Sequence, residues 1–282
     1  HWGQLGPAEI EPKRVQTYRQ TQFEADRLGI VIAIVIIWQV RRVRRSNRAT
    51  GALVEAIVLM FGIAKAGLVV VPVNPLLADD VLEWVVGHVE VSLAVVDGEY
   101  AARASEVLER TGTRIAVTIP VGGEVAPGSR AFAEWIDPFP VDEVDVEIHS
   151  DDVWSLLFTS GTTAMPKASM TTHTYSYMSG FSYAMSLTRG LQYEREFVMC
   201  TFLPVVFHCG HNSTVLPALL AGGTMVLGRK PDPVGLARAI TDERATAVWA
   251  GSPAWVQKLA DIALEDAGGT DLSSLTVAMF SW

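Results

Sequence analysis

The chain has 282 residues, of which 49% are hydrophobic and 19% charged, with a formal charge of −9. That length suits one large domain or two small ones, with enough apolar material for a buried core. An acidic chain gets no general electrostatic help on a polyanion, so no nucleic acid partner is expected, although a local basic site for a nucleotide phosphate is allowed. Two cysteines, Cys200 and Cys209, are too few for a disulfide scaffold and fit a reducing cytoplasm.

The chain opens HWGQLGPAEIEPKR, with neither an initiator Met nor a signal-peptide pattern, and reads as an internal or trimmed beginning. The run Leu28–Val40 is nearly all apolar and leads into Arg41, Arg42, Arg44, Arg45 and Arg48. A membrane-spanning helix needs about 20 apolar residues. This run is 13 long and contains Gln39, so a buried strand running into a solvated basic turn is expected instead. Membrane association is not.

Short apolar runs then alternate with longer helical stretches. Strands are expected at Leu68–Val73, Leu93–Asp97, Arg114–Thr118, Val153–Phe158, Phe197–Leu203, Thr224–Leu227, Ala245–Trp249 and Leu275–Phe280. Most are apolar throughout, as strands covered on both faces are. Helices are expected at Ala52–Lys65, at Asp79–His88 from an acidic cap, at Thr174–Leu187, and at Leu216–Ala221 before Gly222-Gly223. Asp232-Pro233 and Ser252-Pro253 each set a capping residue before a proline and open two more. This alternation predicts an α/β fold with mostly parallel sheets and flanking helices.

A stretch rich in Gly, Pro and acidic residues lies between Pro120 and Asp152. The expected parts are a divergent segment over 1–50, a first α/β part over 51–140 and a second over 141–282. One domain with a long loop fits this stretch equally.

The chemistry is concentrated directly after Val153–Phe158, in Thr159-Ser160-Gly161-Thr162-Thr163-Ala164-Met165-Pro166-Lys167. Four hydroxyls surround Gly161, where backbone N–H groups can turn toward an anion. Lys167 adds a compact positive charge, and Pro166 stiffens the approach to it. Pro166 before the lysine and Ala168 after it exclude a Walker A loop, and the glycine spacing excludes a dinucleotide fingerprint.

The loop resembles the signature of the adenylate-forming superfamily of acyl-CoA synthetases, peptide-synthetase adenylation domains and luciferases, Thr-Ser-Gly-Thr-Thr-Gly-x-Pro-Lys. It departs at Ala164. If that position needs a positive φ, alanine there costs about 1 kcal/mol. In the family the loop holds the β- and γ-phosphates of ATP. The resemblance assigns that role to Thr159, Ser160, Gly161, Thr162, Thr163 and Lys167, with Thr162 also toward Mg²⁺. Phe61–Pro75, Leu203–Gly210, Pro217–Val226 and Asp271–Leu275 are similar to further family segments, so the likeness covers roughly residues 52–282. It implies the N-terminal subdomains of the adenylate-forming fold, with the C-terminal domain absent.

The resemblance also singles out His208, which lies in the family's Phe-His segment beside the acyl-adenylate site; Val205-Val206 adds one residue relative to the common form. His173 is similar to a histidine that follows the family's loop, and is read as a supporting residue. A zinc site at His208-Cys209-Gly210-His211 lacks a second pair of ligands apart from the distant Cys200. The eight Trp and the set Tyr175, Tyr177, Phe181 and Tyr183 are read as packing residues.

The activity implied is ATP-dependent conversion of a carboxylic acid, such as a fatty acid, to an acyl-adenylate, followed by thioester formation with CoA. A cytoplasmic location is expected; a homodimer is one possible assembly, and the sequence does not give the oligomeric state. A second class of reading is a non-catalytic nucleotide- or partner-binding fragment. It draws on family elements not found here: the aromatic-Gly-x-Thr-Glu motif, the ribose-binding Asp and the C-terminal Lys. A third is a membrane-associated protein using Leu28–Arg48.

Overall fold

The computed structural model describes residues 43–45, 52–74, 76–120, 123–139, 145–158, 165–188, 196–204, 207–228, 232–266 and 268–280. Leu28–Val40 and the loop residues Thr159, Ser160, Gly161, Thr162, Thr163 and Ala164 lie outside them, as do Val205 and Val206.

A five-stranded parallel sheet forms the larger layer. It contains β1 (Val43–Arg45), β7 (Val198–Thr201), β8 (Thr224–Leu227), β9 (Ala247–Gly251) and β10 (Val277–Phe280), in the order β1-β8-β7-β9-β10. β1 corrects one expectation. Val43–Arg45 falls inside the stretch read as a solvated basic turn, yet it pairs with Met225–Leu227 as an edge strand. It stands at the edge of the sheet, paired with β8 alone among the described strands.

Alternate residues of these strands enter two different cores, which is why their sequences are apolar throughout. Cys200, Val226 and Val248 pack with α8 (Pro233–Glu243) and α9 (Pro253–Glu265), through Leu236, Ile240 and Leu259. Their neighbours Met199, Met225, Leu227 and Ala247 face the other way. There they meet Ile57 of α1 (Ala52–Lys65), Leu187 of α5 (His173–Leu187), and Val215 and Ala218.

A second, three-stranded parallel sheet joins β2 (Leu93–Asp97), β3 (Arg114–Ile119) and β4 (Arg130–Ala131) in that order. It is covered by α2 (Asp79–His88) and α3 (Ala101–Thr111), with Val86, Ala101, Leu108 and Ile115 buried between them. A short α4 (Phe132–Ile136) completes this layer.

The third sheet departs from the parallel expectation. β5 (Val153–Phe158) pairs antiparallel with β6 (Ala168–Thr172), a strand not expected from the sequence. The first three residues of β6 are exposed, so it carries no apolar signature. The strand expected at Leu68–Val73 reduces to one bridge, Val70 to Ser155.

The caps also sort themselves. Asp232 accepts hydrogen bonds from the backbone N–H of Val234 (3.1 Å) and Gly235 (3.0 Å) and caps α8. Ser252 makes no such bond at the start of α9. α2 is capped by Ala78 rather than by an acidic residue. Asp79 sits in its first turn and accepts a 2.7 Å hydrogen bond from Arg103 Nε.

Candidate active site

The loop singled out by sequence joins β5 to β6, so a hairpin carries it rather than a strand-to-helix turn. The pair Phe158↔Ala168 closes its base. Pro166 is buried there and Lys167 is exposed, immediately before β6. Phe158, the last residue before the loop, meets Trp84 of α2 edge-on at 6.2 Å, and Trp84 stacks on His88 at 4.5 Å. α2 thereby braces the entry to the loop.

The other end of the hairpin is Val153↔Thr172, where α5 begins. At about 3.4 Å per residue the two ends lie roughly 17 Å apart along the strand. The start of α5 is firmly held. The Thr172 hydroxyl accepts from Tyr175 N–H (3.1 Å) as the cap, and Thr174 Oγ1 donates to Ser150 O (2.9 Å). Inside the turn so fixed, Tyr175 Oη lies 3.0 Å from His208 Nε2.

His208 opens a helical segment made of α6 (His208–Gly210), a π-helical turn (His211–Val215) and α7 (Leu216–Leu220). Gly180 of α5 allows α7 to come close, because a Cβ built there would lie 2.8 Å from Leu216 Cβ. Burial lowers the pKa of His208 and favours the neutral imidazole.

His173 and His211 both flank Trp154, with ring centroids at 6.3 and 5.0 Å, and Phe61 lies 5.8 Å from His211. Trp154 itself donates Nε1–H to Ser176 Oγ at 2.9 Å. Burial also lowers His173, opposed by the nearby Asp152. His211 is 2% exposed, and burial together with His208 pushes its pKa down to about 3. It is therefore neutral near pH 7.

The sequence-derived site residues thus form two groups. Lys167 and the braced loop base stand at one end of the hairpin. His208, joined to Tyr175, belongs with His173 at the other. Among the described residues no group of three His, Cys, Asp or Glu side chains is arranged to hold a metal ion. No helix of the described residues is long and apolar enough to cross a membrane. Sequence reading treated Tyr175 as packing and weighed His211 only for zinc; nothing local in the sequence marks either one's partner.

A mostly parallel α/β architecture with a Ser/Thr/Gly loop ending in Pro-Lys, and a Phe-His segment held to the preceding helix α5, defines the class of adenylate-forming enzymes. The chain belongs to the AMP-binding enzyme family, which matches residues 10–281. It is 28% identical over 181 residues to a crotonobetaine/carnitine–CoA ligase of Salmonella paratyphi B, covering 62% of this chain and 34% of that protein. It is 28% identical over 252 residues to a medium/long-chain-fatty-acid–CoA/3-oxocholest-4-en-26-oate–CoA ligase of Mycolicibacterium smegmatis, covering 81% of this chain and 45% of that one. The fold is that of the anthranilate CoA ligase AuaEII, solved with anthranoyl-AMP: TM-score 0.72 and 22% identity, over 93% of this chain and 49% of the other. The chain therefore spans less than half the length of these relatives.

Proposed function

We propose that this chain serves an ATP-dependent acid–thiol ligase, which activates a carboxylic acid as its acyl-adenylate and passes the acyl group to CoA. The observation that carries the reading is the hairpin β5–β6, whose closed base Phe158↔Ala168 presents the Thr159–Lys167 loop with Lys167 exposed beside it. An exposed cation next to hydroxyls and a glycine backbone fits a polyphosphate.

In this reading Thr159, Ser160, Gly161, Thr162, Thr163 and Lys167 hold the β- and γ-phosphates, with Thr162 toward Mg²⁺. The metal supplies charge neutralisation at the phosphates. Adenylation is an in-line attack of the carboxylate on the α-phosphorus, so positioning and neutralisation of charge are what the protein contributes. His208, held by Tyr175, orients the acyl group. The names of the relatives support CoA as acceptor and carboxylic acids, fatty acids among them, as substrates. The free thiols of Cys200 and Cys209 agree with a cytoplasmic location. A homodimer is the assembly we carry with this reading.

Calorimetric titration with ATP and Mg²⁺ tests it, together with acid-dependent exchange of pyrophosphate into ATP. ATP binding that falls at least tenfold in Lys167→Ala is expected. A wild-type chain that does not bind ATP sinks the reading. Tight binding without exchange for any acid favours a nucleotide-binding fragment instead.

A further inference from the structure

The β5–β6 hairpin is a sheet of two strands. A two-stranded ribbon is marginal by itself and takes its rigidity from what packs on it. The two ends of this one are held differently. At the α5 end, Trp154, Ser155 and Thr171 are buried, and Thr172 caps the helix. At the loop end, Ala168, Ser169 and Met170 of β6 are exposed. Apart from the buried Pro166, the hold at that end falls to β5. The last residue of β5, Phe158, meets Trp84 of α2 at 6.2 Å with an interplanar angle of 83°.

Trp84 is itself a fixed point. His88, one turn later on the same helix face, stacks on it at 4.5 Å with 13° between the ring planes. The intervening Val85 and Val86 are buried, Val86 in the core under the three-stranded sheet. Two residues of α3 hold the outer side of α2. Arg103 donates to Asp79 and Arg110 donates to Glu83, each at 2.7 Å. α2 is therefore anchored on the three-stranded sheet, and Trp84 is where it reaches across to the hairpin. An edge-on aromatic pair is directional, so it fixes the orientation of the Phe158 ring as well as covering it.

We infer that Trp84 is a positioning residue for nucleotide binding: through Phe158 it fixes the point from which the phosphate loop departs, and so sets the affinity for the polyphosphate of ATP. This rests on the acid-activating reading above. Phe158 is bonded directly to Thr159, so any displacement of Phe158 is passed to the first residue of the loop. Backbone N–H groups hold a phosphate only within hydrogen-bond distance, and a binding constellation has to be kept within about 0.5 Å of its productive geometry. A misplacement of about 1 Å from a residue remote from the chemistry can cost as much as 100-fold. Trp84 thus couples the helix layer of the three-stranded sheet to a site that this layer does not otherwise supply.

The test is calorimetric titration of the full chain with ATP and Mg²⁺, in wild type, Trp84→Ala, Trp84→Phe, Phe158→Ala and the double variant. Trp84→Ala is expected to weaken ATP binding about tenfold. Trp84→Phe keeps an aromatic ring at this position and is expected to bind within about threefold of wild type. The double variant is expected to bind no worse than Phe158→Ala alone, because Trp84 acts through Phe158. If Trp84→Ala does not fold, Trp84→Leu, which keeps bulk without the ring, replaces it with the same expectation. Fluorine NMR of the fluorotryptophan-labelled chain supplies a readout that plain packing would not move. The one resonance of eight that is missing in Trp84→Phe is expected to shift when ATP and Mg²⁺ saturate the wild type. Unchanged ATP affinity in Trp84→Ala and Trp84→Leu, losses that simply add in the double variant, or a Trp84 resonance that ATP leaves in place overturn the inference while the acid-activating reading stands. A wild-type chain that does not bind ATP takes down both.

Discussion

Tyr175 and His208, 33 positions apart in the chain, meet through a 3.0 Å contact between the phenol oxygen and Nε2. The contact exists because Thr172 caps α5 and turns Tyr175 toward the segment that follows β7. It ties α5, the helix after the β5–β6 hairpin, to the helical segment after β7.

The Tyr175 hydroxyl can also accept from a protonated His208, and a hydrogen bond to the charged ring is the stronger one. Its loss in Tyr175→Phe should therefore lower the pKa of His208 further below the ordinary value that burial already depresses. Titration of the His208 ring by NMR checks this. A rise in pKa would mean that the bond favours the neutral ring.

Acid should destabilise the fold through His211. The unfolded chain takes up a proton on this residue near the ordinary 6.5, whereas the folded site holds it neutral down to about 3. Protons therefore favour the unfolded state across that window. Its contribution is fully present above pH 6.5 and shrinks as pH falls toward 3, by up to about 1.4 kcal/mol per pH unit. Urea titrations at stepped pH, compared with His211→Phe, measure it. Identical acid slopes for both proteins would remove the assignment.

Two helix starts that look alike in sequence should respond differently. Asp232→Ala loses two hydrogen bonds to the backbone of α8 and should cost about 1 kcal/mol. Ser252→Ala removes no cap bond from α9 and should change stability by under about 0.5 kcal/mol. Denaturation midpoints at pH 7 separate the two. Equal losses would contradict the geometry.

At Gly180 the contact with α7 outweighs helix propensity. Alanine should gain up to about 1 kcal/mol as a helix former. Its Cβ would sit 2.8 Å from Leu216 Cβ, however, and overpacking of this kind costs about 1–3 kcal/mol. A net loss is expected for Gly180→Ala and a larger one for Gly180→Val, read from thermal melts. Gly180→Ala combined with Leu216→Ala should recover part of the loss.

Much of the fold was legible from local composition. Seven of the eight expected strands appear at or inside their expected bounds to within two residues, and the helices opening at Ala52, Asp79, Asp232-Pro233 and Ser252-Pro253 are all present. Runs such as Thr224–Leu227 must be buried on both faces, and that leaves only an interior parallel strand. β6 escaped notice because its exposed half has no reason to be apolar, and what makes it a strand is its partner β5. The edge strand Val43–Arg45 was likewise hidden, because its pairing with β8 makes it a strand.

The order of residues from Thr159 to Lys167 determined the chemical class by itself, because a phosphate loop acts through contiguous backbone and side chains. The same holds for the two-faced strands, whose burial is written in their own residues. Only the tertiary structure decided that a hairpin carries this loop and that His208 answers to Tyr175 at the hairpin's other end. Those relations join residues tens of positions apart. The free energy that sets them comes from packing between elements, and no local stretch of sequence encodes which distant surface it will meet.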